Sequence, residues 1–342
     1  MTTIDIHTHF FPETWPDFSA RFGTPDWPWM KHLGDGKAMV MLGSREFRPV
    51  TEACWNAEVR LAEMDRDQID LQILCATPVL FAYERPAAHA VECARYFNDA
   101  ALELCSRGRG RLFGLCQVPL QDIDAACTEL MRCMQAGHLG VQIGNHVGDR
   151  ELDDEGIITF LQHCASLGAA VLVHPWDMMA RQRMSKYMMA WTVGMPAETQ
   201  LSIVSMILGG AFEKLPRELR ICFTHGGGSF AFLLGRLENA WHRRDITRGK
   251  STRPPSHYLD RFHVDSAVFD GACLRFLIDV MGEDGVMLGS DSPFPLGEER
   301  VGSLVRNSPG LSPRTREKIL GGTALEFFGL SGRLRQEQCA TG

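Results

Sequence analysis

Short runs of Val, Ile, Leu and Cys alternate along the chain with longer stretches whose apolar residues recur every three to four positions. Eight runs have the length and composition of buried strands: residues 2–6, 70–75, 111–116, 139–144, 170–173, 219–224, 262–265 and 286–288. The helical period predicts helices over 56–67, 86–106, 123–136, 154–167, 199–214, 230–243 and 271–281. In 199–214, for example, Leu201, Val204, Ile207, Leu208, Ala211 and Phe212 share one face. Eight strands separated by helices predict an α/β fold of the closed (β/α)8 barrel type. No strand runs into a G-x-G-x-x-G turn, which argues against a dinucleotide-binding sheet.

Two segments interrupt the rhythm. Residues 10–51, rich in Pro, Gly and Trp, form an insertion after the first strand, with a small hairpin expected near 38–50. Residues 175–198 carry Met178, Met179, Trp191 and Met195 and follow the fifth strand. Insertions after barrel strands lie on the face that bears active sites, so both are candidate lids or pocket walls. Residues 333–342 read as a polar tail, and 1–342 as a single domain, since one such barrel commonly uses roughly 250 residues or more.

Charge and cysteine content narrow the classes. The 35 basic and 42 acidic residues give a formal charge of −7 with no long block of either sign, which argues against nucleic acid or an anionic membrane as partner. The N-terminus has no basic start followed by an apolar run, and no apolar stretch reaches the roughly 18 residues of a membrane span, so a cytoplasmic protein is expected. Eleven cysteines without a Cys-x-x-Cys pair predict reduced, mostly buried thiols.

His7 and His9 end the first strand two residues apart, so both side chains face one side. An isolated His-x-His means little. Here His174 ends the fifth strand, His225 the sixth, and Asp291 follows the eighth. A barrel brings strand ends distant in sequence to one opening, where its catalytic groups lie. Imidazoles plus a carboxylate suit zinc and neighbouring divalent metals. His7, His9, His174 and Asp291 suffice as ligands, which leaves His225, before Gly226-Gly227-Gly228, as the acid–base group acting on water at the metal. The fourth strand ends Gly-Val-Gln-Ile-Gly-Asn-His with no lysine to bridge two metals, so one ion per chain is expected. The other histidines read as hydrogen-bonded packing residues, with His146 alone a candidate for the pocket.

Beyond these residues stand longer motifs: HPWDMM from His174, MPAETQ from Met195, HGGGSFAFLLGR from His225 and GSDSPFPLGE from Gly289. With the opening H-T-H, the chain resembles the 2-amino-3-carboxymuconate-6-semialdehyde decarboxylase family of the amidohydrolase superfamily, from the first strand to about the last helix. The resemblance implies a zinc-dependent, oxygen-independent decarboxylase of aromatic amino acid or nitroaromatic breakdown that forms 2-aminomuconate semialdehyde. It implies His7, His9, His174 and Asp291 as zinc ligands and His225 as the catalytic histidine. It further implies Arg48 and Arg236 as substrate-carboxylate arginines, with Arg236 supplied across a homodimer interface, and Trp191 and Phe294 as pocket aromatics. Where the family usually reads Asp-Tyr-Pro-Phe-Pro, this chain has Ser292 after Asp291. Three other readings share these residues: a metal-dependent hydrolase of the superfamily, a decarboxylase of the 2-hydroxy analogue, and a metal-binding protein without turnover.

Overall fold

The computed structural model describes residues 2–332. All eight expected strands form, in one parallel sheet: β1 (Ile4–Phe10), β2 (Leu71–Ala76), β3 (Leu112–Cys116), β4 (Gly140–Gly144), β5 (Ala170–His174), β6 (Arg220–Phe223), β7 (His263–Asp265) and β8 (Val286–Met287). They pair in chain order, and the ring closes where the Ile6 N–H donates to the Leu288 carbonyl at 2.9 Å and Thr8 bridges to Ser292. This is the (β/α)8 barrel the alternation predicts.

The barrel packs in two apolar clusters. Ile4, Ile6, Leu71, Ile73, Leu115, Leu172 and Met287 fill the lower interior, plugged by Phe327, Phe328 and Leu330 near the C-terminus. The opposite strand faces, such as Leu74, Val141, Val171, Phe223 and Val264, pack outward against the helices.

β1 departs from simple alternation in a way that matters for function. Its pairing with β2 shifts between Asp5 and Thr8: Asp5 lies opposite Gln72, but Thr8 lies opposite Leu74. Three steps on one strand against two on the other define a β-bulge, which changes which positions face inward. Ile4 and Ile6 point into the barrel below the bulge, and the odd positions His7 and His9 point into it above. The Asp5 carboxylate holds the bulge, accepting from the His7 N–H (3.3 Å), the Ser290 N–H (3.1 Å) and the Ser290 hydroxyl (2.6 Å).

Seven helices cover the sheet: α1 (Ala57–Asp67), α2 (Ala87–Ser106), α3 (Ile123–Ala136), α4 (Glu155–Ser166), α5 (Met195–Leu208), α6 (Phe230–Arg243) and α7 (Gly271–Met281). Asn56, Asp122, Asp154 and Asp270 cap four of them by accepting from first-turn N–H groups. The helix expected over 199–214 is corrected: α5 starts at Met195, and a separate short helix, Ala211–Lys214, follows a break at Gly209 and Gly210. Of the expected apolar face, Ile207, Ala211 and Phe212 are buried and Val204 and Leu208 pack against the core, while Leu201 is exposed. The buried side of α5 also carries Glu198, Thr199 and Ser202, polar positions that apolar spacing does not mark.

The insertion contains a three-stranded antiparallel sheet (Pro28–Gly34, Lys37–Leu42, Arg45–Thr51) where one hairpin was expected. The ten cysteines among the described residues are all free. Among these residues no helix is long and apolar enough to cross a membrane. The expected tail, 333–342, lies outside them.

Candidate metal centre and its cavity

At the mouth of the barrel His7, His9, His174 and Asp291 each turn one donor atom into a common space, and these atoms all lie within 4.8 Å of one another. The Nε2 atoms of His7 and His9 are 3.2 Å apart, and Asp291 Oδ1 is 3.5 Å from the first and 3.0 Å from the second. The imidazoles of His7, His9 and His174 are all buried. Buried ring nitrogens without partners are costly. Yet His174 Nε2 and His225 Nε2 have none, and both belong to rings that converge here with centroids 5.0 Å apart. Donors converging around unsatisfied nitrogens fit a divalent ion bound by N and O atoms.

The ring orientations are set from behind. His7 Nδ1 lies 2.7 Å from Asp265 Oδ2, which leaves its Nε2 free for the centre. His174 Nδ1 donates to the Pro175 carbonyl at 2.9 Å with the same result. Burial opposes charge on His7, but the hydrogen bond and charge of Asp265 together with the charges of Asp291 and Asp5 outweigh it and raise its pKa. Burial drives His9 down to about 4 and His174 well below its ordinary value, so both stay neutral and ready to donate a lone pair. Burial alone would raise Asp291; the neighbouring imidazoles of His225, His9 and His7 reverse this and hold it well below the ordinary carboxylate value, an anion.

His225 stands beside the cluster. Its Nε2 is 3.9 Å from Asp291 Oδ2, and its Nδ1 is 3.0 Å from the Thr224 hydroxyl. That hydroxyl gives its one hydrogen to the Val173 carbonyl at 3.2 Å, so it accepts from His225 Nδ1 and leaves Nε2 bare. His225 and Asp291 both lie in the left-handed region, with φ of 55° and 63°. Such strain at two neighbouring functional positions is held by the surrounding structure. After His225, three glycines with positive φ let the chain pass beneath α5, where a Cβ on Gly228 would meet the Pro196 carbonyl at 2.2 Å.

The centre opens into a cavity of about 1410 Å³ walled by both irregular segments. Phe47, Arg48 and Pro49 come from the insertion, and Trp176, Met178, Trp191 and Met195 from the segment after β5. Met179 does not line it. Phe294 stacks on His9 at 5.0 Å between ring centroids, and the Arg48 guanidinium sits 4.1 Å from the Phe294 ring centroid. Arg48 forms no salt bridge among the described residues. Arg236 is exposed on α6 and is not part of this chain's own cavity wall. Ser292 does not line the cavity either; its carbonyl accepts from the His9 N–H at 2.8 Å. His146 borders a separate cavity, its ring nitrogens facing the Gly148 and Asp177 carbonyls.

Sequence reasoning missed Asp265. It bonds His7 with one oxygen and the N–H groups of Gly226 (2.9 Å) and Ala267 (3.1 Å) with the other. A signal existed: it is an acid ending a buried strand, as the ligands end theirs, and a fully buried carboxylate needs partners.

An α/β barrel with a His/Asp cluster able to hold a metal at its C-terminal mouth defines a metal-dependent enzyme class. The amidohydrolase family model matches residues 4–330, and the chain belongs to that family. It is 42% identical to the 2-amino-3-carboxymuconate-6-semialdehyde decarboxylase of Dictyostelium discoideum, over 96% of this chain and 91% of that one. Among solved structures it resembles 5-carboxyvanillate decarboxylase from Sphingomonas paucimobilis, with a TM-score of 0.81, 24% identity and coverage of 96% and 99%. It also resembles a dihydroxybenzoic acid decarboxylase from Polaromonas with bound manganese, with a TM-score of 0.77, 21% identity and coverage of 96% and 97%. The chain is a metal-dependent carboxy-lyase of this superfamily.

Proposed function

We propose that the chain decarboxylates 2-amino-3-carboxymuconate-6-semialdehyde to 2-aminomuconate semialdehyde and carbon dioxide, using one zinc ion held by His7, His9, His174 and Asp291. The observation that carries this reading is Arg48, a half-buried cation without a salt bridge that faces the cavity beside the cluster. A guanidinium so placed fits a substrate carboxylate, which it can hold bidentately. When bound, the metal supplies Lewis-acid polarisation of the substrate.

The protein's own groups do the rest. Arg48 fixes one carboxylate, while Phe294 and Trp191 give the conjugated chain a flat apolar seat. As the carbon–carbon bond breaks, its electron pair stays on the substrate carbon, which must gain a proton. His225, outside the ligand set, takes a proton from water at its bare Nε2 and delivers it to that carbon, returning to the neutral ring.

The substrate is a dicarboxylate, and this chain's cavity offers one arginine. On α6, Phe232 is 80% exposed at the cavity rim, one turn before exposed Arg236. We assign this face to a homodimer in which the partner subunit's Arg236 reaches the second carboxylate. Mixing inactive Arg236→Ala chains with inactive His225→Ala chains then restores activity in mixed dimers. Verified mixed dimers without activity would remove Arg236 from the site.

The direct test supplies freshly generated substrate to the zinc-loaded enzyme without oxygen. Release of carbon dioxide with loss of the substrate's absorbance is expected. Acid release from a lactone panel, with no decarboxylation, would establish the hydrolase instead. The same assay on the 2-hydroxy analogue compares the two substrates. Replacing His225 by Ala should leave metal content intact and lower turnover about 10²–10⁴-fold.

A further inference from the structure

The motifs HPWDMM and MPAETQ are not explained by ligands and cavity walls alone, because the buried carboxylate of the second, Glu198, lines neither the metal cluster nor the cavity. Glu198 lies on α5 and is 3% exposed. Its Oε2 accepts from Asn145 Nδ2 at 2.9 Å, and its Oε1 accepts from the Met179 N–H. Asn145, which follows β4 and is wholly buried, accepts from the Trp176 N–H through Oδ1 at 2.8 Å. The peptide between Pro175 and Trp176 therefore has both ends engaged. Its N–H goes to Asn145, and its carbonyl accepts from Nδ1 of His174.

We infer that Asn145 and Glu198 are positioning residues that hold the ligand His174 and the segment 176–179, of which Trp176 and Met178 line the cavity, as one unit. The path runs through bonds alone: the His174 ring to the Pro175 carbonyl, across one peptide to Asn145, then to Glu198 and back to the Met179 N–H. The segment it holds has no regular secondary structure between β5 and the turn at Arg181–Met184. Backbone N–H groups in such a segment have no helix or sheet partner, and these two buried side chains bind those of Trp176 and Met179. The Ser202 hydroxyl, on the next turn of α5, donates to the Asn145 carbonyl at 2.9 Å and fixes the relay to the helix. Turning His174 would aim its Nε2 away from the other three donors. Moving the wall would displace Trp176 and Met178 from the substrate. Outer partners of metal ligands commonly govern metal affinity by 10–100-fold.

The relay allows a test that preserves shape and inverts polarity. Asn145→Asp alone sets two carboxylates against each other, and Glu198→Gln alone sets two amide NH₂ groups against each other. Together they restore every bond: the new carboxylate at 145 accepts from Trp176 N–H and from the amide at 198, whose oxygen accepts from Met179 N–H. Each single exchange should weaken retention of zinc against a chelator at least tenfold and raise KM. The double exchange should return both to within about threefold of the parent. Unchanged zinc retention in both singles, or a double exchange as impaired as the singles, would overturn the assignment. Should either single exchange prevent folding, Glu198→Asp replaces it, keeping the charge but withdrawing it by one methylene. The inference rests on His174 being a ligand, and His174→Ala tests that separately by zinc content. Because zinc retention is read without substrate, an error in the substrate assignment would not affect the outcome.

Discussion

Asp265 shows how one side chain can set the protonation of a neighbour. Its carboxylate faces His7 Nδ1 at 2.7 Å, which obliges that nitrogen to carry the hydrogen and leaves Nε2 for the metal. Changing Asp265 to Asn keeps the size but presents an NH₂ group toward His7, or withdraws the oxygen from the N–H of Gly226 if the amide turns. Either way at least one bond is lost, and two if the amide turns, since Gly226 and Ala267 share the same oxygen. Metal affinity should fall 10–100-fold, measured by chelator competition, with the barrel still folded by circular dichroism. An unaltered affinity would show that His7 needs no such partner. At the same scale, His7, His9, His174, His225 and Asp291 were legible because strand ends in a barrel converge. Asp265 was overlooked because its strand was read for packing and its one charge was not asked for a partner. Glu198 and Asn145 were hidden for another reason: their roles depend on contacts between segments far apart in sequence.

The elements follow the hydrophobic rhythm closely where both faces of a strand are buried, and less closely where function has placed polar groups on a buried face. All eight strands were found within a few residues, yet the start of α5 was placed too late and its buried side only partly recognised, because that side carries Glu198, Thr199 and Ser202. The same helix meets the glycine turn after β6. At Gly228, with φ of 63°, an added methyl would strike the Pro196 carbonyl that begins α5. Gly228→Ala should therefore cost roughly 1–3 kcal/mol in urea unfolding and lower turnover through displacement of His225. A variant as stable and active as the parent would mean the turn can move freely. The insertion sheet was only partly visible, since a third strand, Pro28–Gly34, lies in a stretch dominated by Trp, Lys and Gly.

For the molecule as a whole, buried neutral histidines make acid a specific threat. Burial lowers His138 and His263 to about 4 from the ordinary 6.5. Below pH 6.5 the unfolded chain takes up protons that the folded chain refuses until about pH 4. Their stabilisation is thus complete above pH 6.5 and is lost as the pH falls toward 4, by up to about 1.4 kcal/mol per pH unit for each histidine. His138→Gln should flatten that slope by about one proton's worth in unfolding measured between pH 7 and 4.5; an unchanged slope would assign the loss elsewhere. The architecture also makes a single extra residue in β1 consequential. Because of that bulge, one strand presents both the greasy floor of the barrel and the ligands at its rim on the same side. Transplanting His-x-His into another barrel by sequence alone would therefore set the pair facing the helices unless the host strand already counted the same way. Conversely, deleting Ile6 would restore simple alternation with His7 and His9 still turned inward, so what the extra residue adds is one more inward side chain than a regular strand of that span can carry, floor and rim together.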